Sequence, residues 1–248
     1  MGKIGAGSEV TRTGVGTRTV VLVGVRYGSK RLPGKALIKI AGQSALEHLI
    51  DRLKLASVPA GIIICTSTNP ENDPIAEAAL RKEVGCFRGS EENVMERFIQ
   101  AAERENADNI VRVTGDDILI DWVHLDRAID YHNRMNADYT WYGIPKGTET
   151  EIISTPALKR AYSLLSDPSH REHLTYAVKR PSLFRVCEMP VAEKYRKNYS
   201  FTLDTPEDLE VLKIVFEGLY GGRPFTLDEL ISFVETNSEL KAKATGKS

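Results

Sequence analysis

Thr19-Val-Val-Leu-Val-Gly-Val25 is apolar at consecutive positions and rich in β-branched residues. A strand of that kind must bury both faces, which confines it to the middle of a sheet covered by helices on each side. Gly61-Ile-Ile-Ile-Cys65 and Asn109-Ile-Val-Arg-Val-Thr114 read as two more strands. The intervening segments supply the helices. Ser44 and Glu47 form a capping box, with Leu46, Leu49, Ile50 and Leu53 as one apolar stripe. Asp73 is expected to cap a helix with Pro74 at its first position. Ser90 is expected to cap another, with Val94, Phe98, Ile99 and Ala102 inward. A helix around 122–134 and a strand at 138–142 follow. The stretch 143–203 is less regular, with a strand at Phe184–Cys187 standing out. Thr205-Pro206 opens a helix with Leu209, Leu212, Val215, Phe216 and Leu219 on one face, and Thr226 with Glu229 caps a final one.

Alternating strands and helices imply right-handed βαβ units, hence an α/β fold with a mainly parallel, Rossmann-like sheet flanked by helices. Residues 1–18 and 241–248 are polar or Gly/Thr-rich and read as loose tails around a single domain spanning 19–240. Ligands of such sheets sit at the carboxyl ends of the strands.

Composition narrows the partners. With 33 Lys+Arg against 34 Asp+Glu the formal net charge is −1, which disfavours a dedicated binder of nucleic acid or anionic membrane. No apolar run approaches the roughly 18 residues that span a bilayer. Cys65, Cys86 and Cys187 are too far apart for a CxxC pair, which argues against a disulfide framework or structural zinc and fits a cytoplasmic protein. The near-zero total conceals an asymmetry. Residues 1–46 sum to +7 and residues 47–248 to −8, with no acid between Val10 and Ala45.

The positive charge concentrates in Arg26-Tyr-Gly-Ser-Lys-Arg-Leu-Pro-Gly-Lys35, directly after the first strand. Gly28 and Gly34 let a backbone approach a ligand, and Arg26, Lys30, Arg31 and Lys35 suit phosphate oxygens. It is not a Walker A loop, because Ala36 stands where Ser or Thr would ligate magnesium. Nor is Gly14-Val-Gly16 a dinucleotide fingerprint, since it precedes the strand. Thr114-Gly-Asp-Asp117, after the third strand, places carboxylates where a hard cation could bridge to phosphates. A basic phosphate loop combined with an acidic corner is what nucleotidyl transfer requires. Asp204 lies just outside the cap at Thr205 and could complete the metal site, although spacing alone favours an ordinary loop residue.

Together with Cys65-Thr-Ser-Thr-Asn-Pro70, Phe87-Arg-Gly-Ser-Glu91, Arg171-Glu-His-Leu-Thr175 and Leu203-Asp-Thr-Pro-Glu-Asp208, these segments resemble the cytidylyltransferases that activate acidic sugars. That is the acylneuraminate and 3-deoxy-manno-octulosonate group, and the resemblance is greatest to its SpsF-like spore-coat polysaccharide branch. It implies a GT-A-like nucleotide-diphospho-sugar transferase fold with a small inserted arm over 139–200. It also implies Mg2+-dependent transfer of CMP from CTP to an acidic sugar, polyol or phosphonate, with pyrophosphate released, in surface glycoconjugate biosynthesis. Carried over by position, Arg26, Arg31 and Lys35 hold the triphosphate, with Val25, Gly28, Ser29 and Gly115 beside the nucleotide. Asp116 and Asp204 hold Mg2+, and Thr66, Arg88 and Ser90 form the cytosine and ribose pocket. Two departures stand out. Val25 replaces the family's usual Ala, and Ile118 replaces a Pro, which makes Asp117 an additional candidate ligand. Asp117, Glu149, Glu151, Arg171 and His173 are candidates for the acceptor. An anionic acceptor would favour Arg171 and Lys146, a neutral polyol Glu149 and Glu151. Analogy with the family also implies a homodimer. A glycosyltransferase using a nucleotide sugar, or a non-catalytic nucleotide-binding scaffold, are the alternative classes.

Overall fold

The computed structural model describes residues 16–165, 175 and 177–245. Its centre is β1 (Thr19–Gly24), whose residues are buried throughout except for the terminal glycine. After it come two two-residue strands, β2 (Lys39–Ile40) and β3 (Gln43–Ser44), then α1 (Ala45–Leu53), β4 (Ile62–Ser67), α2 (Asp73–Arg81), β5 (Gly85–Gly89), α3 (Val94–Arg104) and β6 (Asn109–Thr114). The remainder is α4 (Trp122–Met135), β7 (Tyr139–Trp141), β8 (Glu151–Ser154), α5 (Thr155–Ser163), β9 (Val186–Glu188), α6 (Pro206–Leu219), α7 (Leu227–Thr236) and α8 (Ser238–Ala244).

Seven strands form one sheet in the order β5-β4-β1-β6-β8-β7-β9, and β8 alone runs antiparallel to its neighbours. The apolar runs explain the layering. Val21, Val23, Ile64, Val111 and Val113 pack with α1, α2, α4, α6, α7 and α8 on one face. Val20, Leu22, Ile63, Cys65 and Ile110 pack with α3 and α5 on the other. Consecutive residues of one strand thus serve opposite cores, as a period of two demands. The expected α/β architecture, mainly parallel and flanked by helices, is the one observed.

Several local expectations need correction. The N-cap of α2 is Asn72, not Asp73, and its amide makes no cap bond. Instead it donates to Ser67 Oγ (2.9 Å) and accepts from Tyr27 N (2.8 Å), tying β4 to the loop after β1. Asn93, not Ser90, caps α3 through the Glu96 amide, while Ser90 Oγ accepts from Asn93 N one turn earlier. The stretch 139–200 contributes β7, β8 and β9 to the sheet. The segment expected to fray at 241 continues α8, whose Leu240 and Ala244 are buried. Of the expected N-terminal tail, Arg18 is fastened by its amide to Asp108 Oδ2 (2.9 Å).

His132 on α4 is 2% exposed; its Nδ1 meets Thr140 Oγ1 at 2.9 Å and its Nε2 has no partner. Burial depresses its pKa to about 4, from an ordinary 6.5. The unfolded chain therefore binds the extra proton between those values, and stability falls as pH drops through 6.5 towards 4. Denaturant titrations at pH 7.5 and pH 5 should differ by about 2 kcal/mol from this group alone, and His132→Gln should remove that component. An unchanged slope in the variant would assign the acid sensitivity elsewhere.

Candidate active site

β1 and β6 lie side by side in parallel, with Gly24 opposite Thr114, and Gly115 N donates to Gly24 O at 2.9 Å. The chain leaves both strands at one edge. A Cβ on Gly115 would lie 2.7 Å from the Val25 side chain, so only glycine lets the two exits run this close. From β1 the cationic loop turns back on itself: Tyr27 O accepts from Ser29 N and Gly34 N, and Gly34 takes the left-handed φ of 66° before the turn Lys35–Leu37. From β6 the chain enters Asp116 and Asp117.

The third strand of chain is brought in by a backbone bond, Leu203 N to Asp116 O at 2.9 Å. Asp208, in the capping box of α6, accepts from the amides of Asp204 (3.0 Å) and Thr205 (2.8 Å), which fixes the Asp204 backbone. The result is an ion cluster. Lys35 Nζ lies 2.8 Å from Asp116 Oδ2 and 2.6 Å from Asp204 Oδ1, and Arg31 reaches Asp204 Oδ2 at 2.6 Å. Burial would lower the Lys35 pKa, but the charges and hydrogen bonds of Asp116 and Asp204 outweigh it and raise it.

These groups border a cleft of about 600 Å3. Of the residues expected at the nucleotide, Val25, Arg26, Gly28, Ser29, Arg31 and Lys35 line it from one side and Gly115, Asp116 and Asp204 from the other. Thr66, Arg88 and Ser90 do not line it. Thr66 is fully buried, and Arg88 donates to the carbonyls of Ser67 (2.9 Å) and Asn69 (3.0 Å) and pairs with Asp73 (2.7 Å). The α3 wall instead presents Val94, Arg97 and Phe98. Arg97 went unnoticed in the sequence, although a cation at i+3 within an apolar stripe is a legible signal.

A second compartment of about 580 Å3 adjoins the first and shares Arg112 and Thr114 with it. Asp117, Glu149 and Glu151 line it, with Tyr139, Trp141 and Lys179. Arg171 and His173 lie outside the described residues. Glu151, far from being an exposed strand acid, is held by Arg112 (2.6 Å), Lys179 (2.8 Å) and the Tyr139 hydroxyl. Burial would raise its pKa, and the two cations lower it on balance. Burial, then the charges of Asp116 and Glu149, push Asp117 up to about 7 against hydrogen bonds from Thr114 and Thr202. Burial likewise raises Glu149, whose carboxylate accepts from Thr148 N at 3.1 Å.

A family model described as cytidylyltransferase matches residues 20–237. The chain belongs to the cytidylyltransferase family. Its membership makes it a CTP-dependent nucleotidyltransferase. The spore coat polysaccharide biosynthesis protein SpsF of Bacillus subtilis is 31% identical over 229 residues, covering 88% of this chain and 94% of that protein. A 3-deoxy-manno-octulosonate cytidylyltransferase of Geobacter metallireducens is 32% identical over 114 residues, 45% of this chain and 43% of the relative. Among solved structures, a cytidylyltransferase from Leptospira borgpetersenii superposes with a TM-score of 0.86 at 28% identity, covering 94% of this chain and all of that one. Among the described residues of the cytidylyltransferase, no helix is long and apolar enough to cross a membrane.

The turn that presents Glu149 to the second compartment depends on Gly147, whose φ is 86° and whose added Cβ would fall 2.7 Å from Thr202 N and 2.8 Å from the Phe201 carbonyl carbon. Both partners are backbone and cannot swing away. Gly147→Ala should therefore cost at least about 2 kcal/mol in a denaturant titration. A loss below about 0.5 kcal/mol would show that the turn relaxes.

Proposed function

We propose that this cytidylyltransferase moves CMP from CTP to a hydroxyl group of a sugar-like acceptor, releases pyrophosphate, and uses Mg2+ held by Asp116 and Asp204. One observation carries the proposal: a cationic loop and two carboxylates converge on one cleft, beside a second compartment that shares its wall.

The donor set fits the metal. Asp116 Oδ2 and Asp204 Oδ1 already meet on a single positive point, the Lys35 ammonium. Two carboxylates would leave the other positions of a small hard cation to waters and phosphate oxygens. When bound, Mg2+ supplies neutralisation of phosphate charge. The chain's own part is positional and electrostatic. Arg26, Arg31 and Lys35 offer donors for the triphosphate, and Gly28 and Gly34 let the loop backbone close upon it. The acceptor oxygen forms its bond to the α-phosphorus as the α–β bridging bond breaks. Pyrophosphate leaves with the electron pair and the acceptor proton passes to solvent. Charge developing on the leaving group meets the same cations, so their stabilisation is greatest in the transition state.

The second compartment supports a neutral, polyhydroxylated acceptor over an acidic one. Arg112 and Lys179 share the single carboxylate of Glu151, and the positive charge that remains faces Glu149 and Asp117, so no cation is left unopposed for a sugar carboxylate. Carboxylates accept from sugar hydroxyls and repel a sugar carboxylate. The names of SpsF and of the 3-deoxy-manno-octulosonate enzyme support a role in surface glycoconjugate synthesis.

Pyrophosphate release measured with CTP, UTP, ATP and GTP against polyols and acidic sugars tests the proposal. Turnover is expected with CTP and polyols. Asp116→Ala should cut it by about a thousandfold with circular dichroism unchanged, and retained turnover would overturn the metal assignment. Glu149→Gln should raise the acceptor KM about tenfold and leave CTP affinity unmoved; a preference for acidic sugars would refute the acceptor class.

A further inference from the structure

Asp116 and Asp204 do not stand as two bare carboxylates. Lys35 Nζ lies 2.8 Å from Asp116 Oδ2 and 2.6 Å from Asp204 Oδ1, and Arg31 holds the other oxygen of Asp204 at 2.6 Å. Among the described residues no other lysine bridges two carboxylates: Lys82 rests on Asp51 alone and Lys179 on Glu151 alone. The Lys35 side chain is 15% exposed and the two carboxylates 21% and 25%. Water therefore compensates only part of any charge left unpaired at this corner.

Lys35 is claimed by two partners. An ammonium has three donors, and two of them are spent on the carboxylates, although the triphosphate needs the same cation. The oxygens it holds are also those that would hold Mg2+. An ammonium and a divalent ion exclude each other from one point by repulsion and by volume. The parts differ in freedom to move. The Asp116 carbonyl is tied to Leu203 N and the Asp204 amide to Asp208, so both carboxylates stand on fixed backbone. Lys35 carries its charge at the end of a flexible four-carbon stem.

The charges then allow only one balanced exchange. A divalent ion arriving alone would strand the displaced ammonium in a largely buried position. A triphosphate arriving alone would draw Lys35 away and leave two carboxylates facing each other and the phosphates. With both present, Lys35 pairs with phosphate and the carboxylates with the metal, and no charge is left without a partner. We propose that Lys35 is the resident counter-ion of the acidic corner, holding Asp116 and Asp204 until a triphosphate takes its ammonium, so that the corner admits a divalent cation only together with the nucleotide. This rests on the metal and CTP assignments above and adds the condition under which the metal binds.

Electron paramagnetic resonance of free Mn2+ measures uptake by the nucleotide-free protein, with no turnover involved. Wild type should bind Mn2+ weakly. Lys35→Met should bind it at least about tenfold more tightly, because two fixed carboxylates have lost their counter-ion. Lys35→Arg keeps the charge and should bind no more tightly than wild type. Lys35→Met should also melt lower in EDTA and recover with Mn2+, whereas wild type should melt alike in both. A lysine that is merely structural predicts lower melting that Mn2+ does not restore. Equal Mn2+ affinity in wild type and Lys35→Met overturns the inference; Lys35→Gln serves if the Met variant does not fold. Uptake by nucleotide-free wild type at about 10 μM or tighter, the range of well-formed carboxylate sites, overturns it with no variant needed. Lys35→Met/Asp204→Asn separates the failures. If the gained uptake survives there, the metal lies elsewhere and the metal assignment falls too. If calorimetry shows no CTP binding by wild type, the CTP-transfer proposal falls. An unchanged Mn2+ affinity in Lys35→Met with CTP binding intact in wild type removes this inference alone.

Discussion

The site depends on β1 and β6 ending together. Parallel pairing with Gly24 opposite Thr114 brings two chain exits to one edge, and Gly115 lets them run within a backbone hydrogen bond of each other. One exit carries only cations and the other two carboxylates. Their attraction would be weak across open solvent, but at this spacing, on a half-buried edge, it holds Lys35 in place. A slip of one residue in register would exchange the residues of β6 between the two cores and carry Asp116 away from the loop.

The same edge resolves the chain's charge balance. The net charge of −1 arises from a basic N-terminal part set against an acidic remainder. The fold brings the two into contact, with Lys35 and Arg31 on Asp204. Each partner lowers the cost of concentrating the other's charge. The arrangement also leaves both signs beside the cleft, and a triphosphate with its cation needs both. A uniformly basic pocket would bind phosphate and lack carboxylates for a metal.

Where local chemistry decides, the sequence was legible. The caps at Ser44, Thr205 and Thr226, the buried strands and the cationic loop all stand where residue type and spacing put them. The failures occur where tertiary contacts override local rules. Asn72 is drawn from its capping role by Ser67 and Tyr27. α8 has only Leu240 and Ala244 to bury and is held by the bridge between Tyr199 and Thr245, which no periodicity reveals. β8 and α5 did leave a signal, Ser154-Thr-Pro-Ala157, in which Ser154 caps the helix; the acids just before it obscured the strand. Arg97 was readable only as an anomaly, a cation in an apolar stripe, and its hold on the Ser90 carbonyl is a tertiary contact that no spacing reveals.

The single antiparallel strand explains why the two compartments adjoin. A parallel neighbour to β6 would end at this edge and send its chain onward from there. β8 instead begins there, with Glu151 in register opposite Arg112, so the residues before it, 147–150, hang beside Asp116 and Asp117. The reversal of one strand therefore delivers a second set of polar side chains to the edge where the phosphate loop already sits. Arg112 then belongs to both spaces, its guanidinium on Glu151 and its strand continuing into the Asp corner. A group that bridges the compartments while paired on one side couples them: drawing Arg112 towards a phosphate would weaken its hold on Glu151 and leave that carboxylate to Lys179 and to whatever hydroxyls lie in the second compartment.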